Sequence, residues 1–325
     1  MLDTGQSGQP LLEIRNLTKT FDSPRGQVHA VSDVSFDIPR GSITGLVGES
    51  GSGKTTLGRA LLRLIEPTSG KTRFDGTDVN ALDEAGLRAM RRRMQIIFQD
   101  PVSSLNPRLK VGDIIAEGLV AHRVGTASGR RDKVVALLEE VGLRPDAASR
   151  YPHEFSGGQR QRIGIARALA LDPEFIVADE CVSALDVSIQ AQVLNLLLEL
   201  REKRNLTMLF IAHDLSAVEY LCDQIIVMYL GRIVEAGPSA PLYRQPQHPY
   251  SRALLSAIPQ PDPRAARNRE VLSDDIPSPL NPPSGCVFRT RCKLADGRCA
   301  EVRPDPVPVG PSHVSYCLKS EALAL

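Results

Sequence analysis

A glycine-rich segment at residues 48–55 is the part of the sequence whose residue types and spacing point most directly to chemistry. It reads Gly-Glu-Ser-Gly-Ser-Gly-Lys-Thr, follows an apolar stretch at residues 43–47 and opens an apolar-periodic stretch at residues 54–65. Between a strand and a helix, glycines let backbone N–H groups converge on phosphates, and the helix N-terminus adds positive potential. Lys54 would reach the β- and γ-phosphates, and the Thr55 hydroxyl would hold Mg²⁺. The predicted phosphate-binding residues are Gly48, Ser50, Gly51, Gly53, Lys54, Thr55 and Thr56.

Two carboxylates, Asp179 and Glu180, end an apolar run at residues 175–178. Ligands of open α/β sheets bind at the carboxyl ends of the strands, so a strand here would place both side chains at that edge. Asp179 would hold Mg²⁺, and Glu180 would orient or activate a water for attack on the γ-phosphate. Taken alone, such a pair is more typical of a helix cap or a solvated turn. The phosphate-binding loop favours the catalytic interpretation.

A second anion-binding segment follows at residues 155–159, Phe-Ser-Gly-Gly-Gln. Ser156, Gly157 and Gly158 would begin a helix at residues 157–171, whose free N–H groups attract anions as the first loop does. One chain would thus carry two half-sites for phosphate. The alternative is an N-capped surface helix that binds no ligand.

The elements that must position these residues follow from periodicity. Alternating residues at 12–17 and 28–38, joined by a turn at 23–26, predict an antiparallel β start. Short apolar runs predict buried parallel strands, and helical stretches lie between them. The runs are at 43–47, 95–98, 175–178, 208–212 and 225–228, and the helices at 112–120, 131–141, 157–171 and 188–203. Prolines crowd past residue 236, so regular structure is not expected to persist there. Such composition is typical of a linker or a disordered end, but the four late cysteines favour an ordered, cross-linked appendage.

The composition limits the classes of protein. With 325 residues, 39 basic and 38 acidic side chains, and a net charge of +1, the chain has the composition of a soluble globular protein of one to two domains. Nothing in this balance requires nucleic acid, and the basic run at residues 88–93 is typical of a solvated helix face. The N-terminus does not resemble a secretory signal, and no apolar run approaches the roughly 20 residues of a membrane span. We therefore expect a cytoplasmic chain with a peripheral membrane role at most.

Taken together and in order, these segments resemble the ATP-binding cassette (ABC) ATPases over residues 12–236. The resemblance identifies residues 155–159 as the signature loop, Gln99 as the Q-loop glutamine and Mg²⁺ ligand, and His213 as the H-loop histidine. It also identifies residues 183–186, ending in Asp186, as the D-loop and Phe21 as the aromatic that stacks on adenine. It implies catalytic roles for Glu180, His213 and Gln99.

The family's architecture implies a dimer. In it, the signature loop of one subunit, here Ser156, Gly157, Gly158 and Gln159, closes on the ATP and Mg²⁺ held by the other. The implied fold is α/β: a phosphate-loop ATPase domain with a mixed sheet core, an antiparallel β subdomain and an α-helical signature subdomain, plus a small Pro- and Cys-rich C-terminal appendage. The corresponding division is an N-terminal tail at 1–10, the ATPase domain at 11–236 and the appendage at 237–325.

The sequence departs from the family's pattern directly after Glu180, the expected catalytic carboxylate. Cys181-Val182 replaces the family's Pro-Thr or Pro-Val. The loss of proline puts only local backbone stiffness in doubt, and an accessible thiol here would be an oxidation liability.

Further segments narrow the resemblance and extend it to residue 325. They resemble the ATP-binding subunits of bacterial dipeptide and oligopeptide importers, and lie at residues 98–101, 103–107, 151–153, 248–250 and 252–255. This resemblance implies that the chain contacts two membrane permease subunits and pairs with a second ATPase subunit, which is expected to be a related chain rather than a second copy. It also implies an extracellular peptide-binding protein, with which the chain would interact only indirectly. The expected location is the cytoplasmic face of the bacterial inner membrane, with no nucleic-acid partner. Alternatives are a soluble ABC clamp in DNA repair or translation, a nickel or glutathione importer, and a regulatory subunit that binds without hydrolysis.

Four cysteines fall in the last forty residues, with the spacing Cys286-x5-Cys292-x6-Cys299-x17-Cys317. Four thiolates bind zinc or an iron–sulfur cluster, and a reducing compartment disfavours disulfides. The spacing lacks the Cys-x2-Cys pair of common zinc ribbons. The peptide-importer resemblance implies a [4Fe–4S] cluster, with zinc or structural cysteines as alternatives. His313 is expected to be solvated and Cys222 to be a buried thiol.

Overall fold

The computed structural model describes residues 9–258 and 275–320, and within them the chain forms two compact units. The first unit contains residues 9–39, 43–80, 212–258 and 275–320, and the second contains residues 40–42 and 81–211. The predicted tail at residues 1–10 lies largely outside the described residues, as do Pro259, Pro261 and Pro263. The predicted boundary at residues 236/237 stays a prediction.

The bounds of the elements are as follows. The strands are β1 (Leu12–Ser23), β2 (Gly26–Ile38), β3 (Ile43–Val47), β4 (Ser69–Phe74), β5 (Thr77–Asp78), β6 (Met94–Ile97), β7 (Phe175–Asp179), β8 (Thr207–Ile211), β9 (Gln224–Tyr229), β10 (Arg232–Pro238), β11 (Val307–Gly310) and β12 (His313–Ser315). The α-helices are α1 (Lys54–Leu61), α2 (Glu84–Arg93), α3 (Pro101–Ser104), α4 (Val111–Ala121), α5 (Ala127–Glu140), α6 (Gly157–Leu169), α7 (Val187–Arg204), α8 (Leu215–Leu221), α9 (Ser239–Arg244), α10 (Pro249–Ser256) and α11 (Gly297–Glu301).

An antiparallel sheet with the order β2-β1-β4-β5 begins the first unit. The register places Leu12 opposite both Ile38 and Phe74, and all three side chains are buried. Alternate residues of these strands point to one apolar face, as the pattern at residues 12–17 and 28–38 predicts. The predicted antiparallel β start is confirmed.

The first unit also carries the strands that lead into the phosphate-binding loop. Their order is β11-β12-β10-β9-β3, with β3 parallel to β9 and β10 antiparallel to β9. All residues of β3 are buried, as expected of a parallel strand covered on both faces. Helix α1 ends at Leu61 rather than at residue 65, because the backbone of Arg63 turns to a left-handed φ of 47°.

The second unit is built on the parallel strands β8-β7-β6. Strands β7 and β8 are buried throughout, which matches the apolar runs in the sequence. Helices α4, α5 and α6 pack on one another, and α6 begins at the predicted signature segment. Arg88, Arg91 and Arg92 on α2 are exposed, so the basic run forms a surface face as predicted.

The expectation that regular structure ends near residue 236 is wrong. Helices α9 and α10 follow, and β12 pairs with β10 through Glu235 opposite Ser315. Pro249 stands in the first turn of α10, where the N–H that proline lacks has no helical partner, and His248 caps that turn. Pro249 therefore begins a helix, whereas Pro277, Pro279, Pro282 and Pro283 lie in a stretch without helix or strand at residues 275–296.

None of the helices in the described residues combines the length and the apolar character that a membrane span needs.

Candidate functional site

The phosphate-binding loop connects β3 to α1 in the first unit, and its backbone requires glycine at two positions. Gly48 has φ 152°, and a Cβ there would lie 2.1 Å from the carbonyl oxygen of Met228. Gly53 has φ 100°, and its Cβ would lie 2.0 Å from the carbonyl oxygen of Ala30. No larger residue fits such contacts. The loop is therefore fixed by β9 on one side and β2 on the other.

The lysine of the loop lies folded over the loop's own carbonyls. Lys54 Nζ donates to the carbonyl oxygens of Gly48 (2.8 Å) and Glu49 (3.0 Å), and the residue is only 5% exposed. Ser50 and Gly51 are exposed at the tip, and Thr55 and Thr56 are half-buried in the first turn of α1. The structure brings all seven predicted phosphate-binding residues into one loop and helix start.

Two residues of the same loop have features that the sequence analysis missed. The Ser52 hydroxyl is buried with no hydrogen-bond partner among the described residues. Glu49 is held by residues far along the chain: its N–H donates to Tyr250 Oη at 2.8 Å, and its carboxylate accepts from Arg291. Neither partner follows from a local sequence pattern.

His213 and Phe21 also belong to the first unit. His213 is exposed and follows Ala212, whose N–H donates to the Leu46 carbonyl on the strand that enters the phosphate-binding loop. Phe21 lies in β1 with its ring 39% exposed, and Lys19 Nζ is 4.8 Å from the ring centroid. An exposed ring is free to stack on a planar ligand.

The predicted carboxylates lie at the carboxyl end of β7 in the second unit, as the sequence predicts. Asp179 is 2% exposed, whereas Glu180 is half-buried and adopts a left-handed φ of 45°. This conformation is unfavourable for a residue with a Cβ and is held by the Glu180 N–H, which donates to the Ile211 carbonyl at 2.9 Å. Gln99 Nε2 donates to Glu180 Oε2 at 2.7 Å, so the structure brings two of the predicted catalytic residues together.

The expectation of an accessible thiol beside Glu180 is wrong. Cys181 is 2% exposed and Val182 is equally buried. Burial, reinforced by the nearby charge of Asp179, raises the pKa of the Cys181 thiol to about 12. The thiolate is the reactive form, so this cysteine is inert and serves as an apolar side chain.

The signature segment forms the capped start of α6. Ser156 Oγ accepts from the Gln159 N–H (3.3 Å) and Gln159 Oε1 accepts from the Ser156 N–H (3.0 Å), a reciprocal capping box. A Cβ on Gly158 would lie 2.4 Å from Ile189 Cγ2, whereas one on Gly157 would meet Leu185 at an ordinary 3.7 Å. The start of α6 is therefore capped by its own side chains, with Gly158 packed against Ile189 and Gly157 exposed.

The predicted D-loop leads into α7. Asp186 is its exposed N-cap residue and makes no side-chain cap bond, and Val187 beside it is 85% exposed. The contact of Gly157 with Leu185 places the D-loop next to the signature segment within the second unit.

None of the six cysteines, all of which lie within the described residues, forms a disulfide. Burial, reinforced by the nearby thiols of Cys317, Cys299 and Cys292, raises the pKa of Cys286 to about 11. The four late cysteines therefore lie within electrostatic reach of one another, and the Cys286 N–H donates to the Cys299 carbonyl at 2.8 Å. Among the described residues, however, His, Cys, Asp and Glu form no group of three or more that could hold a metal ion.

The expectation for His313 is wrong, and that for Cys222 is confirmed. His313 is 5% exposed, and its Nε2 is 2.8 Å from Glu235 Oε1. Glu235 is fully buried and also accepts from the N–H groups of Gln247 and His248, so His313 completes the hydrogen bonding of a buried carboxylate. Cys222 is 7% exposed, after the end of α8.

Two known protein families match separate parts of this sequence. The family described as ABC transporter matches residues 31–183. The family described as the oligopeptide/dipeptide transporter C-terminal region matches residues 234–299.

Individual relatives match nearly the whole chain. A Brucella ovis protein named as a peptide import ATP-binding protein is 59% identical over 310 residues, which are 95% of this chain and 98% of the relative. The oligopeptide transport ATP-binding protein AppF of Bacillus subtilis is 50% identical over 324 residues, 97% of this chain and 98% of the relative.

Solved structures show the same fold. The ATP-binding cassette MJ0796, as a dimer in a post-hydrolysis state with ADP and Pi, superposes with a TM-score of 0.65 at 29% identity, covering 70% of this chain and 98% of that chain. CbiO1 from Clostridium perfringens, part of a CbiONQ transporter complex, gives a TM-score of 0.65 at 26% identity, covering 73% and 92%. The chain therefore belongs to the ABC transporter family and is an ATPase with the fold of an ATP-binding cassette.

Proposed function

We propose that this chain is the ATP-hydrolysing subunit that drives import of dipeptides or oligopeptides through a membrane permease. The observation that carries the proposal is the match of residues 234–299 to the C-terminal region of oligopeptide and dipeptide transporters. The relatives named for peptide transport support it, since they match nearly the whole chain. A soluble clamp in DNA repair or translation is not favoured, because this C-terminal region has no place in that interpretation.

In the proposed reaction, ATP binds with its phosphates on the loop at residues 48–55 and adenine against Phe21. Lys54 would leave the carbonyls of Gly48 and Glu49 to contact the β- and γ-phosphates. Thr55, Gln99 and Asp179 would hold Mg²⁺, which neutralises charge on the phosphates. The donor set of hydroxyl, amide and carboxylate oxygens suits this hard cation.

Glu180 is the proposed residue that activates the attacking water, and His213 the one that contacts the γ-phosphate. The hydrogen bond from Gln99 and the constrained backbone of Glu180 support a fixed carboxylate at this position. Phosphoryl transfer to water depends mainly on such positioning and on charge stabilisation.

A second ATPase subunit is proposed to complete each nucleotide site. Ser156, Gly157, Gln159 and Asp186 are exposed, which leaves them available to a nucleotide held by a partner cassette. The dimeric form of MJ0796 supports this arrangement. We propose a heterodimer with a related subunit, on the pattern of peptide importers.

The remaining partners are two permease subunits and, indirectly, an extracellular peptide-binding protein. Phe98 and Val102, next to Gln99, are 36% and 57% exposed and would meet a cytoplasmic helix of the permease. The proposed location is the cytoplasmic face of the bacterial inner membrane, with peripheral attachment. No nucleic-acid partner is proposed.

We also propose that Cys286, Cys292, Cys299 and Cys317 hold a [4Fe–4S] cluster, with zinc as the alternative. The proposal is supported by four thiols in one segment, none of them in a disulfide, a soft donor set that suits either group, although the described residues do not arrange them as a metal site. Anaerobically purified protein should be brown and bleach with dithionite, and Cys292→Ser should lose the colour whereas Cys222→Ser keeps it. Colourless protein with one zinc per chain would establish the alternative, and protein with neither metal would refute both.

The proposed transport function is tested by uptake of labelled di- and oligopeptides in cells that lack this chain. Restoring the wild-type chain should restore uptake, and Lys54→Ala should not. Exposed Arg252→Ala on α10 is a control that should transport normally. Unchanged peptide uptake with loss of nickel or glutathione uptake would contradict the proposed substrate.

A further inference from the structure

Glu49 connects the phosphate-binding loop to the cysteine segment, residues 286–317. Arg291 lies in this segment and donates to the Glu49 carboxylate through both terminal nitrogens, Nη1 to Oε2 at 2.6 Å and Nη2 to Oε1 at 3.1 Å. The Arg291 side chain is 5% exposed and that of Glu49 25%. A bidentate arginine–carboxylate pair in this setting is a strong and directional interaction.

Arg291 is itself held by an aromatic cluster of Tyr229, Tyr250 and Phe288. Tyr229 Oη lies 3.5 Å from Arg291 Nη1, and the Tyr229 ring centroid is 5.9 Å from the guanidinium carbon. The three rings pack with centroids 4.8 to 5.3 Å apart, and each residue is at most 1% exposed. Arg291 therefore contacts Tyr229 of this buried cluster as well as Glu49.

The backbone of Glu49 is fixed from the same side. Its N–H donates to Tyr250 Oη at 2.8 Å, and its carbonyl accepts from Lys54 Nζ at 3.0 Å and from the Ser52 N–H at 3.2 Å. Every polar group of Glu49 thus has a partner, and two of these partners lie after residue 236 in the sequence.

A carboxylate in a phosphate-binding loop needs an explanation, because its charge repels the phosphates that the loop binds. At close range and away from bulk water, such repulsion is screened only weakly. A cation paired with the carboxylate removes most of this repulsion.

We propose that Arg291 is a positioning residue of the nucleotide site: it neutralises and holds Glu49, so that the phosphate-binding loop accepts a triphosphate. The cysteine segment then does more than fold beside the ATPase domain, since it supplies a residue that the loop needs for nucleotide affinity. This inference rests on the proposed nucleotide site.

The test is titration of the purified full-length chain with a fluorescent ATP analogue in the presence of Mg²⁺, with thermal unfolding as the stability readout. Arg291→Gln leaves Glu49 charged and unpaired, and should raise the dissociation constant roughly tenfold. Arg291→Lys keeps the charge but loses the bidentate geometry, so its dissociation constant should lie between those of wild type and Arg291→Gln. Arg289→Gln is the matched control. Arg289 lies in the same segment but donates to the Ser284 carbonyl instead of Glu49, so this variant should bind the ATP analogue as wild type does.

The double variant separates this role from a purely structural one. With Glu49→Gln, the loop carries no carboxylate to neutralise, so that variant and Glu49→Gln/Arg291→Gln should both bind within about threefold of wild type. If Arg291 only stabilises the fold, the double variant binds as weakly as Arg291→Gln, and the inference is wrong. Wild-type affinity in Arg291→Gln would also overturn it. A wild-type chain that does not bind the analogue would instead refute the proposed nucleotide site.

Discussion

Gln99 Nε2 donates a 2.7 Å hydrogen bond to Glu180 Oε2, which joins the second residue after β6 to the first residue after β7. These strands are parallel neighbours in register, with Ile97 opposite Ala178, so their carboxyl ends meet at one edge. The amide N–H fixes the orientation of the carboxyl oxygen that accepts it. The bond therefore holds the Glu180 side chain in one position at this edge of the sheet.

Removing this amide should slow the reaction. Gln99→Ala takes away both the hydrogen bond to Glu180 and a proposed Mg²⁺ ligand, so we expect turnover at saturating Mg-ATP to fall about tenfold or more. Gln95→Ala is the matched control, because Gln95 on β6 bonds the Arg91 carbonyl instead. Steady-state phosphate release from the assembled transporter measures both, and turnover within twofold of wild type in Gln99→Ala would contradict the assignment.

Replacing Glu180 should separate binding from hydrolysis. Glu180→Gln keeps the shape and the contact with Gln99 but removes the carboxylate, so ATP affinity should change by less than about threefold. Turnover should fall by a factor of about 100 or more, the range typical of a lost general base. Glu202→Gln, an exposed substitution on α7, should leave both unchanged. Hydrolysis at the wild-type rate in Glu180→Gln would rule out this role.

The two signature glycines should respond differently to a methyl group. Gly158→Ala pushes a Cβ to within 2.4 Å of Ile189, so we expect a loss of stability of about 1–3 kcal/mol. Gly157→Ala meets only an ordinary contact, so its stability should stay within about 0.5 kcal/mol of wild type. If Gly157 faces a partner's nucleotide, that variant should still lose roughly tenfold in ATPase activity of the assembled dimer. Urea unfolding measures the stability of both variants, and phosphate release measures their ATPase activity. Full activity in Gly157→Ala would show that the partner's nucleotide does not contact this residue.

The parts of the structure that the sequence predicts are those determined by local pattern. Periodicity locates the buried strands within one or two residues, and the glycine spacing locates the phosphate-binding loop. Asp179 and Glu180 lie where they are predicted because the end of an apolar strand is itself a sequence signal.

What the sequence does not predict depends on contacts between distant residues. Arg291 meets Glu49 across a separation of 242 residues, and neither residue has a flanking pattern that identifies its partner. The burial of His313 and Cys181 likewise depends on which segments pack over them. The proline-rich segment is misjudged for a different reason, because proline both breaks helices and begins them.

His248 should make stability depend on pH. It is 1% exposed, its Nδ1 accepts from the Tyr250 N–H, and burial lowers its pKa to about 4, although the nearby charge of Glu235 opposes the shift. Above about pH 6.5 the imidazole is neutral in both the folded and the unfolded chain. Between about pH 6.5 and 4 only the unfolded chain takes up the proton, so the free energy of unfolding should decrease as the pH falls, by about 3 kcal/mol in all.

A matched pair of variants isolates this residue. His248→Asn keeps a side chain that caps α10 and has no titration in this range, so its urea midpoint should depend less on pH between 7 and 5 than that of wild type. His153→Asn replaces an exposed histidine and should keep the wild-type dependence. The absolute stability of His248→Asn should be lower at pH 8, since a buried amide replaces the packed ring. Equal slopes in wild type and His248→Asn would show that the acid sensitivity arises at other groups.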